Sequence, residues 1–483
     1  MRSDLKPPSD EALARLAAIV GEKGAIAAPA GAEPYLVEER NLYRGRTPMV
    51  LRPASVAEVG AILKLAHDER IAIVPQGGNT GLVGAQIPFE WGGEVVLSLG
   101  RMKAIREVDP AGYALTAEAG ATLQSIQDAA AAADRLFPLS LGSEGTCQIG
   151  GNIASNAGGV HVLRYGNTRD LVLGVEAVLP GGEVLHGLKN LRKDNTGYDL
   201  KSLLVGSEGT LGVITAATLK LFPRPAEVAT VFAGLPNLCA AAELFSCASA
   251  KAGPLLTAFE IVPRIMLDFV RDHLPQNRDP LSEPHAWYAL FDVSSPLGDG
   301  VAERAAMTIL EDAAERGVVS DATVAASEAQ ALALWRIREI VVESQKYEGG
   351  SIKHDVSVPI SKIPAFIEEA SAAVTALIAG SRPVAFGHFG DGNVHFNLTQ
   401  PKGAGKEAFL ARWDDVNAVV HGIVLRHGGS ISAEHGIGRL KAHALETVKS
   451  EKELALMRGI KAAFDPRGIM NPGKLLAEFA PVE

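Results

Sequence analysis

Three glycine-dense stretches in the first half of the chain constrain its fold more than any other feature. They run Pro75-Gln76-Gly77-Gly78-Asn79-Thr80-Gly81-Leu82-Val83-Gly84, then Gly142 to Gly159, then Gly206 to Gly212. Glycine lets backbone N–H groups converge on an anion, because no Cβ blocks the approach and positive φ is cheap. Gly78, Gly81 and Gly84 recur every third residue after the strand-like run Ile71-Ala72-Ile73-Val74, a spacing suited to cradling a pyrophosphate. No Gly-Lys-Ser/Thr follows, which excludes a Walker loop. Pro88 and the lack of a helix opening at the last glycine fit a Rossmann fingerprint poorly. Gly142-Ser-Glu-Gly-Thr146 returns letter for letter as Gly206-Ser-Glu-Gly-Thr210. Chance turns are one explanation; two loops doing one job at a large ligand is the favoured one. Three such loops in one half-chain predict a dinucleotide site.

The flanking residues read as mixed helix and strand. Ser9 caps a first helix with Leu13, Leu16, Ala17 and Val20 on one face, ended by Gly21. Met49-Val50-Leu51, a helix opened by the capping box Ser55-x-x-Glu58, and the run from Ile71 predict a small βαβ unit. The glycine loops stop near Pro223 and Pro225, which marks a domain boundary. A chain of 483 residues exceeds one ordinary core. The expected division is 1–224, 225–460 and a turn-rich tail 461–483 returning to the first domain.

Net charge is −10 with no dense Lys/Arg stripe, which argues against nucleic acid as a partner. Cys147, Cys239 and Cys247 form no CxxC pair, so neither a disulfide framework nor a thiolate metal site is expected. A cytoplasmic location is the default, with no signal-peptide block and no integral membrane segment. The sequence allows a homodimer without requiring one.

The second half carries Phe386-Gly387-His388-Phe389-Gly390-Asp391-Gly392-Asn393-Val394-His395-Phe396-Asn397. Asp391-Gly392 is a favoured two-residue hairpin turn, and closing it would set His388 opposite His395, with Asn397 on the same face. Two imidazoles so placed suit one metal ion, and Glu434-His435 adds a carboxylate and a third imidazole. Two histidines and a carboxylate suit Zn, Mn or Fe.

Gln76–Gly81, Gly150-Gly151-Asn152-Ile153-Ala154-Ser155-Asn156-Ala157-Gly158-Gly159, Tyr165-Gly166 and Gly209-Thr210-Leu211-Gly212-Val213-Ile214-Thr215 resemble the FAD-binding signature of the vanillyl-alcohol-oxidase/PCMH flavoproteins. The second half resembles the FAD-linked oxidase C-terminal domain. The resemblance covers nearly the whole chain. It implies an α+β fold: a PCMH-type FAD-binding domain of two α+β subdomains with an α+β cap that carries the substrate site. Implied FAD contacts are Gln76, Gly77, Gly78, Asn79, Thr80, Gly81, Leu82, Gly142, Ser143, Gly150, Gly151, Ser155, Asn156, Gly158, Gly209, Gly212, Ile214 and Asn471. Some relatives attach the flavin through a histidine where this chain has Asn79, so FAD is expected to be non-covalent. The resemblance further implies zinc on His388, His395 and Glu434, with His435 as general base.

The parts suit oxidation of a small anionic D-2-hydroxy acid. Its carboxylate and hydroxyl chelate the metal, a neutral histidine takes the proton, and the Cα hydrogen leaves as hydride to the flavin. Lys353-x-Asp355-x-Ser357-x-Pro359 and Arg338 resemble D-2-hydroxyglutarate dehydrogenases, in which the lysine and arginine meet substrate carboxylates. Asn397 completes the expected substrate set. Where those relatives carry a threonine one turn after the arginine, this chain has Val342, leaving Ser344 as a stand-in. Alternatives are a D-lactate or broad D-2-hydroxyacid dehydrogenase, a peroxide-producing oxidase, and a non-catalytic flavin-binding protein. The electron acceptor stays open among an electron-transfer flavoprotein, a quinone and a cytochrome.

Overall fold

The structure is a computed structural model that describes residues 5–477; the last six residues of the expected tail lie outside the described residues. The chain divides into two compact units. The first holds the residues up to Ala157, Asn167–Pro223 and everything from His435 onward; the second holds Gly158–Gly166 and Arg224–Glu434. The return to the first unit therefore begins at His435 rather than at 461, and a nine-residue excursion at 158–166 belongs with the second unit.

In the first unit, β1 (Ala25–Ala27), β2 (Met49–Leu51), β3 (Ala72–Gln76) and β4 (Glu94–Ser98) form one sheet in the order β1-β2-β4-β3. The expected helix between β2 and β3 runs Val56–Glu69, with the Ser55 side chain accepting the Glu58 N–H. The βαβ expectation needs one correction: β2 and β3 each pair in parallel with β4, which inserts between them. Adjacency is settled by a strand later in sequence, which short-range pattern does not register. Next in the chain are β5 (Ile105–Asp109), β6 (Ala114–Glu118), β7 (Arg135–Leu136), β8 (Val172–Val178), β9 (Val184–Gly187), β10 (Val213–Lys220) and β11 (Phe222–Pro223). Five of them make an antiparallel sheet, β5-β6-β10-β8-β9, while β7 pairs with β11. Leu16, Leu51, Ile62, Leu63, Ile73, Val95 and Leu97 share one core with Ile469 and Met470 of the tail.

The tail docks by backbone and by charge. The Ile73 N–H donates to Ile469 O and the Asn471 N–H to Ile73 O, both at 2.8 Å. Buried Lys461 donates to Thr210 O at 2.7 Å, Met470 O at 2.8 Å and Asp465 Oδ2 at 2.6 Å. Burial drives the Lys461 pKa down, against the pull of Asp465. Removing one member of a buried pair strands the other, at a cost of about 3–5 kcal/mol. Lys461→Ala is therefore expected to lose that much stability in denaturant unfolding; a loss under about 1 kcal/mol would contradict this account of the tail.

In the second unit, β12 (Glu227–Leu235), β13 (Leu256–Pro263), β14 (Trp287–Ser295) and β15 (Asp321–Val324) form an antiparallel sheet ordered β13-β14-β12-β15. Successive β14 residues alternate between two cores: Ala289, Phe291 and Val293 join one, Tyr288 and Leu290 the other. That is the two-residue period of a strand buried on both faces. A second sheet, β16 (Ser351–Ser357), β17 (Arg382–Phe386) and β18 (Asn393–Thr399), runs β16-β18-β17. No helix among the described residues is long and apolar enough to cross a membrane.

Candidate active site

Residues directly opposite in an antiparallel ladder point to one side. The pairs Lys353↔Asn397 and Asp355↔His395 on β16 and β18, with Val384↔Asn397 and Phe386↔His395 on β17 and β18, therefore share a face. The opposite face carries Ile352, Val356, Val394, Phe396 and Leu398 into the core. An apolar period of two thus selects which side presents the polar groups.

The hairpin expectation needs correction here. Asp391-Gly392 does not close a two-residue turn; β17 ends at Phe386, and a 3-10 turn spans Phe389–Asp391. It is Phe386, not His388, that pairs with His395. Gly387, at φ +126, swings the chain out of the ladder, where a Cβ would lie 3.0 Å from His395 Cδ2. A two-residue turn would have kept His388 in the ladder; a left-handed glycine lifts it out instead. The rings still meet, edge to face at 5.3 Å between centroids.

Glu434 reaches them from a loop running beside β16. Ser357 and Ser430 exchange backbone hydrogen bonds at 3.0 and 2.8 Å, and the Glu434 N–H donates to Asp355 Oδ2 at 2.9 Å. A Cβ on Gly158 would stand 2.8 Å from Glu434 Oε1, so a larger residue there would displace this carboxylate. Gly158, expected at the flavin, lies in the second unit against this carboxylate. Both imidazoles turn Nε2 toward Glu434, at 3.6 Å for His388 and 4.0 Å for His395. The three ligand atoms lie within 4.8 Å of one another. Tetrahedral bonds of about 2.0–2.1 Å put ligand atoms roughly 3.3 Å apart, so a small contraction suffices to hold a metal.

The charges agree. Burial pushes the Glu434 carboxyl up to about 7, with His388 opposing and Asp355 and Asp391 reinforcing. Asp391 is likewise raised by burial to about 6. Burial works against the charged form of His388, yet Glu260 and Glu434 hold it at about 9. Burial would also raise Glu260, but His388 and Arg338 outweigh it and keep its carboxyl at about 2. So many acids around few cations make a cluster that a divalent cation would balance.

The expected substrate residues divide. Lys353 and Asn397 stand opposite one another on the polar face, with Asn397 Nδ2 donating to Gln345 Oε1 at 2.8 Å. Arg338, on the helix Glu328–Ser344, is buried; its Nε donates to Glu260 Oε2 at 2.7 Å and its guanidinium stands over the Phe386 ring. Ser344 is buried and donates to Val341 O in its own helix, so it does not replace the absent threonine. Sequence reasoning missed Glu260 altogether. The available signal was a lone carboxylate in the otherwise uncharged strand Leu256–Pro263, since acids are almost never fully buried unless paired.

In the first unit the glycine loops meet. A Cβ on Gly77 would lie 3.6 Å from both Gln148 Oε1 and Gly151 N, and one on Gly78 would strike Thr146 O. The Gly206 and Glu208 N–H groups donate to Ile153 O and Ala154 O. Gly142, Gly145 and Gly151 face open space. Side-chain oxygens of Gln76, Gln148, Asn152 and Asn471 are buried with no partner. Gln76 and Asn471 each spend their amide N–H groups on two carbonyls, so their oxygens must accept. Acceptors awaiting donors beside open glycines fit a ligand that combines hydroxyls and an amino group with a pyrophosphate. Asn79 Nδ2 is committed to Pro34 O and Val37 O.

The twin pentapeptides form the same local turn but not the same contacts. Thr146 and Thr210 each return N–H and Oγ to the serine carbonyl three residues back. Glu144 accepts the nearby Leu141 N–H, whereas buried Glu208 accepts from Ile437 at 2.8 Å and Gly438 at 2.7 Å. Glu208 thereby anchors the loop that begins at His435, one peptide bond after Glu434.

Two known families match this chain. The model of FAD linked oxidases, C-terminal domain, matches residues 224–475, and that of an FAD binding domain matches 47–187. The D-2-hydroxyglutarate dehydrogenase of Xanthomonas citri pv. viticola is 40% identical over 451 residues, covering 92% of this chain and 93% of its own. The mitochondrial D-2-hydroxyglutarate dehydrogenase of Bos taurus is 37% identical over 474 residues, 98% of this chain and 84% of its own. Among solved structures, p-cresol methylhydroxylase with substrate bound superposes with a TM-score of 0.75 at 15% identity, covering 96% of each chain. That likeness concerns the fold.

Proposed function

Because this chain belongs to the FAD-linked oxidase family, we propose that it is an FAD-dependent dehydrogenase that oxidises D-2-hydroxyglutarate to the 2-oxo acid. Relatives of that name align over nearly its full length. The observation that carries the reading is the shared face of β16 and β18, where His388, His395 and Glu434 converge one ladder step from Lys353 and Asn397. Two residues along a strand span about 7 Å, the scale of a five-carbon diacid. The carboxylate and hydroxyl at one end of the substrate belong at the metal ligands, and the far carboxylate belongs at Lys353.

Bound FAD supplies a hydride acceptor, and a divalent ion on His388, His395 and Glu434 supplies a Lewis acid that makes the substrate hydroxyl more acidic. Two imidazoles and a carboxylate suit zinc. His435 takes the hydroxyl proton, and Asn397 orients the substrate. Gln76, Gln148, Asn152 and Asn471 hold the flavin as acceptors, without a covalent link.

A second reading, a broad D-2-hydroxyacid dehydrogenase, gains from one observation. Arg338 already gives its Nε to Glu260, so one of the two expected cations is partly committed. The test compares turnover of D-2-hydroxyglutarate and D-lactate with an artificial dye in wild type and Lys353→Met. A charge-assisted hydrogen bond contributes about 1.5–3 kcal/mol, so the diacid should lose roughly ten- to a hundredfold in kcat/KM and D-lactate far less. Equal losses on both would favour the broad enzyme.

A further inference from the structure

We propose that Glu260 is a positioning residue whose single buried carboxylate aims both the metal ligand His388 and the cation Arg338. The proposal rests on the reading of His388 as a ligand.

Glu260 is 0% exposed in the middle of β13. A buried carboxylate is costly unless both oxygens are engaged. Here each has its own partner: Oε1 meets His388 Nδ1 at 2.5 Å, and Oε2 accepts from Arg338 Nε at 2.7 Å. The next residue locks the register. Ile261 and Gly387 exchange backbone hydrogen bonds at 3.0 and 3.1 Å, so the residue after Glu260 is tied to the residue before His388.

The consequence for His388 is chemical. A proton held on Nδ1 by Glu260 leaves Nε2 as the atom presented toward Glu434.

The consequence for Arg338 is steric as well. Held by Nε, its guanidinium lies 4.9 Å over the ring of Phe386, the residue in register with His395. One carboxylate thus ties the metal ligands to the arginine. A salt bridge serving only to neutralise Arg338 would need neither the second oxygen's contact nor the backbone lock.

Glu260→Gln keeps the volume and removes the charge. Zinc affinity, measured on FAD-loaded protein by chelator competition with elemental analysis, should fall ten- to a hundredfold, the usual effect of losing such a partner. Flavin absorbance should be unchanged. Wild-type zinc affinity in Glu260→Gln would overturn the proposal while leaving the metal site intact. A wild-type enzyme with no zinc site would overturn the metal reading and this proposal with it. If Glu260→Gln does not fold, ¹⁵N-histidine NMR of the wild-type enzyme decides. A downfield Nδ1–H signal that disappears in His388→Ala is expected, and an unprotonated Nδ1 would overturn the assignment.

Discussion

His435→Gln should slow single-turnover flavin reduction by about 10²- to 10⁴-fold, the usual contribution of a positioned general base. Glutamine keeps a polar group of similar reach but takes up no proton near neutral pH. The loop itself should persist, because Glu208 holds the Ile437 and Gly438 N–H groups through contacts that do not involve the imidazole. Zinc should persist too, if His388, His395 and Glu434 are the ligands. The competing role for His435 is as a ligand itself, with Glu434 turned toward it as an orienting partner. That role predicts zinc loss together with the rate loss. Elemental analysis and stopped-flow reduction on the same sample separate the two, and a wild-type reduction rate would dismiss both.

Stripping the proposed metal is the second large effect. Treatment with a chelator should abolish most turnover while the flavin stays bound, and added zinc should restore it. Removing one electrostatic stabiliser of a developing oxyanion typically costs about 10²–10³-fold, so a loss of at least that order is expected. His388→Ala should behave as the stripped enzyme and resist rescue by zinc. It also leaves one oxygen of buried Glu260 without its partner, so its unfolding midpoint should fall as well. Normal metal content and normal rates in both His388→Ala and Glu434→Ala would show that the His388, His395 and Glu434 cluster is not the metal site.

Much of this was legible in the primary structure because it is written in local chemistry. The helix caps at Ser9 and Ser55 need only a hydroxyl and the next few N–H groups. The strand alternation of Lys353, Asp355 and Ser357 is a period of two, and it placed them together on one face. The glycine loops were conspicuous because a missing side chain is visible as a letter. The boundary expected near Pro223 and Pro225 was read from the point at which those loops cease.

What the sequence determined by itself was therefore the kind of parts: glycine-dense loops, two imidazoles and a carboxylate, and a lysine on an alternating strand. Each depends on interactions within a few residues, whose energies do not await the rest of the fold. Only the tertiary structure decided who meets whom. It inserted β4 between β2 and β3, carried His388 out of the ladder, and gave identical pentapeptides different partners for Glu144 and Glu208. It turned Arg338 inward onto Glu260, 78 residues away in the chain. A buried charge must find its counter-charge wherever the packed core brings one, and that partner is set by the whole fold rather than by neighbours in sequence.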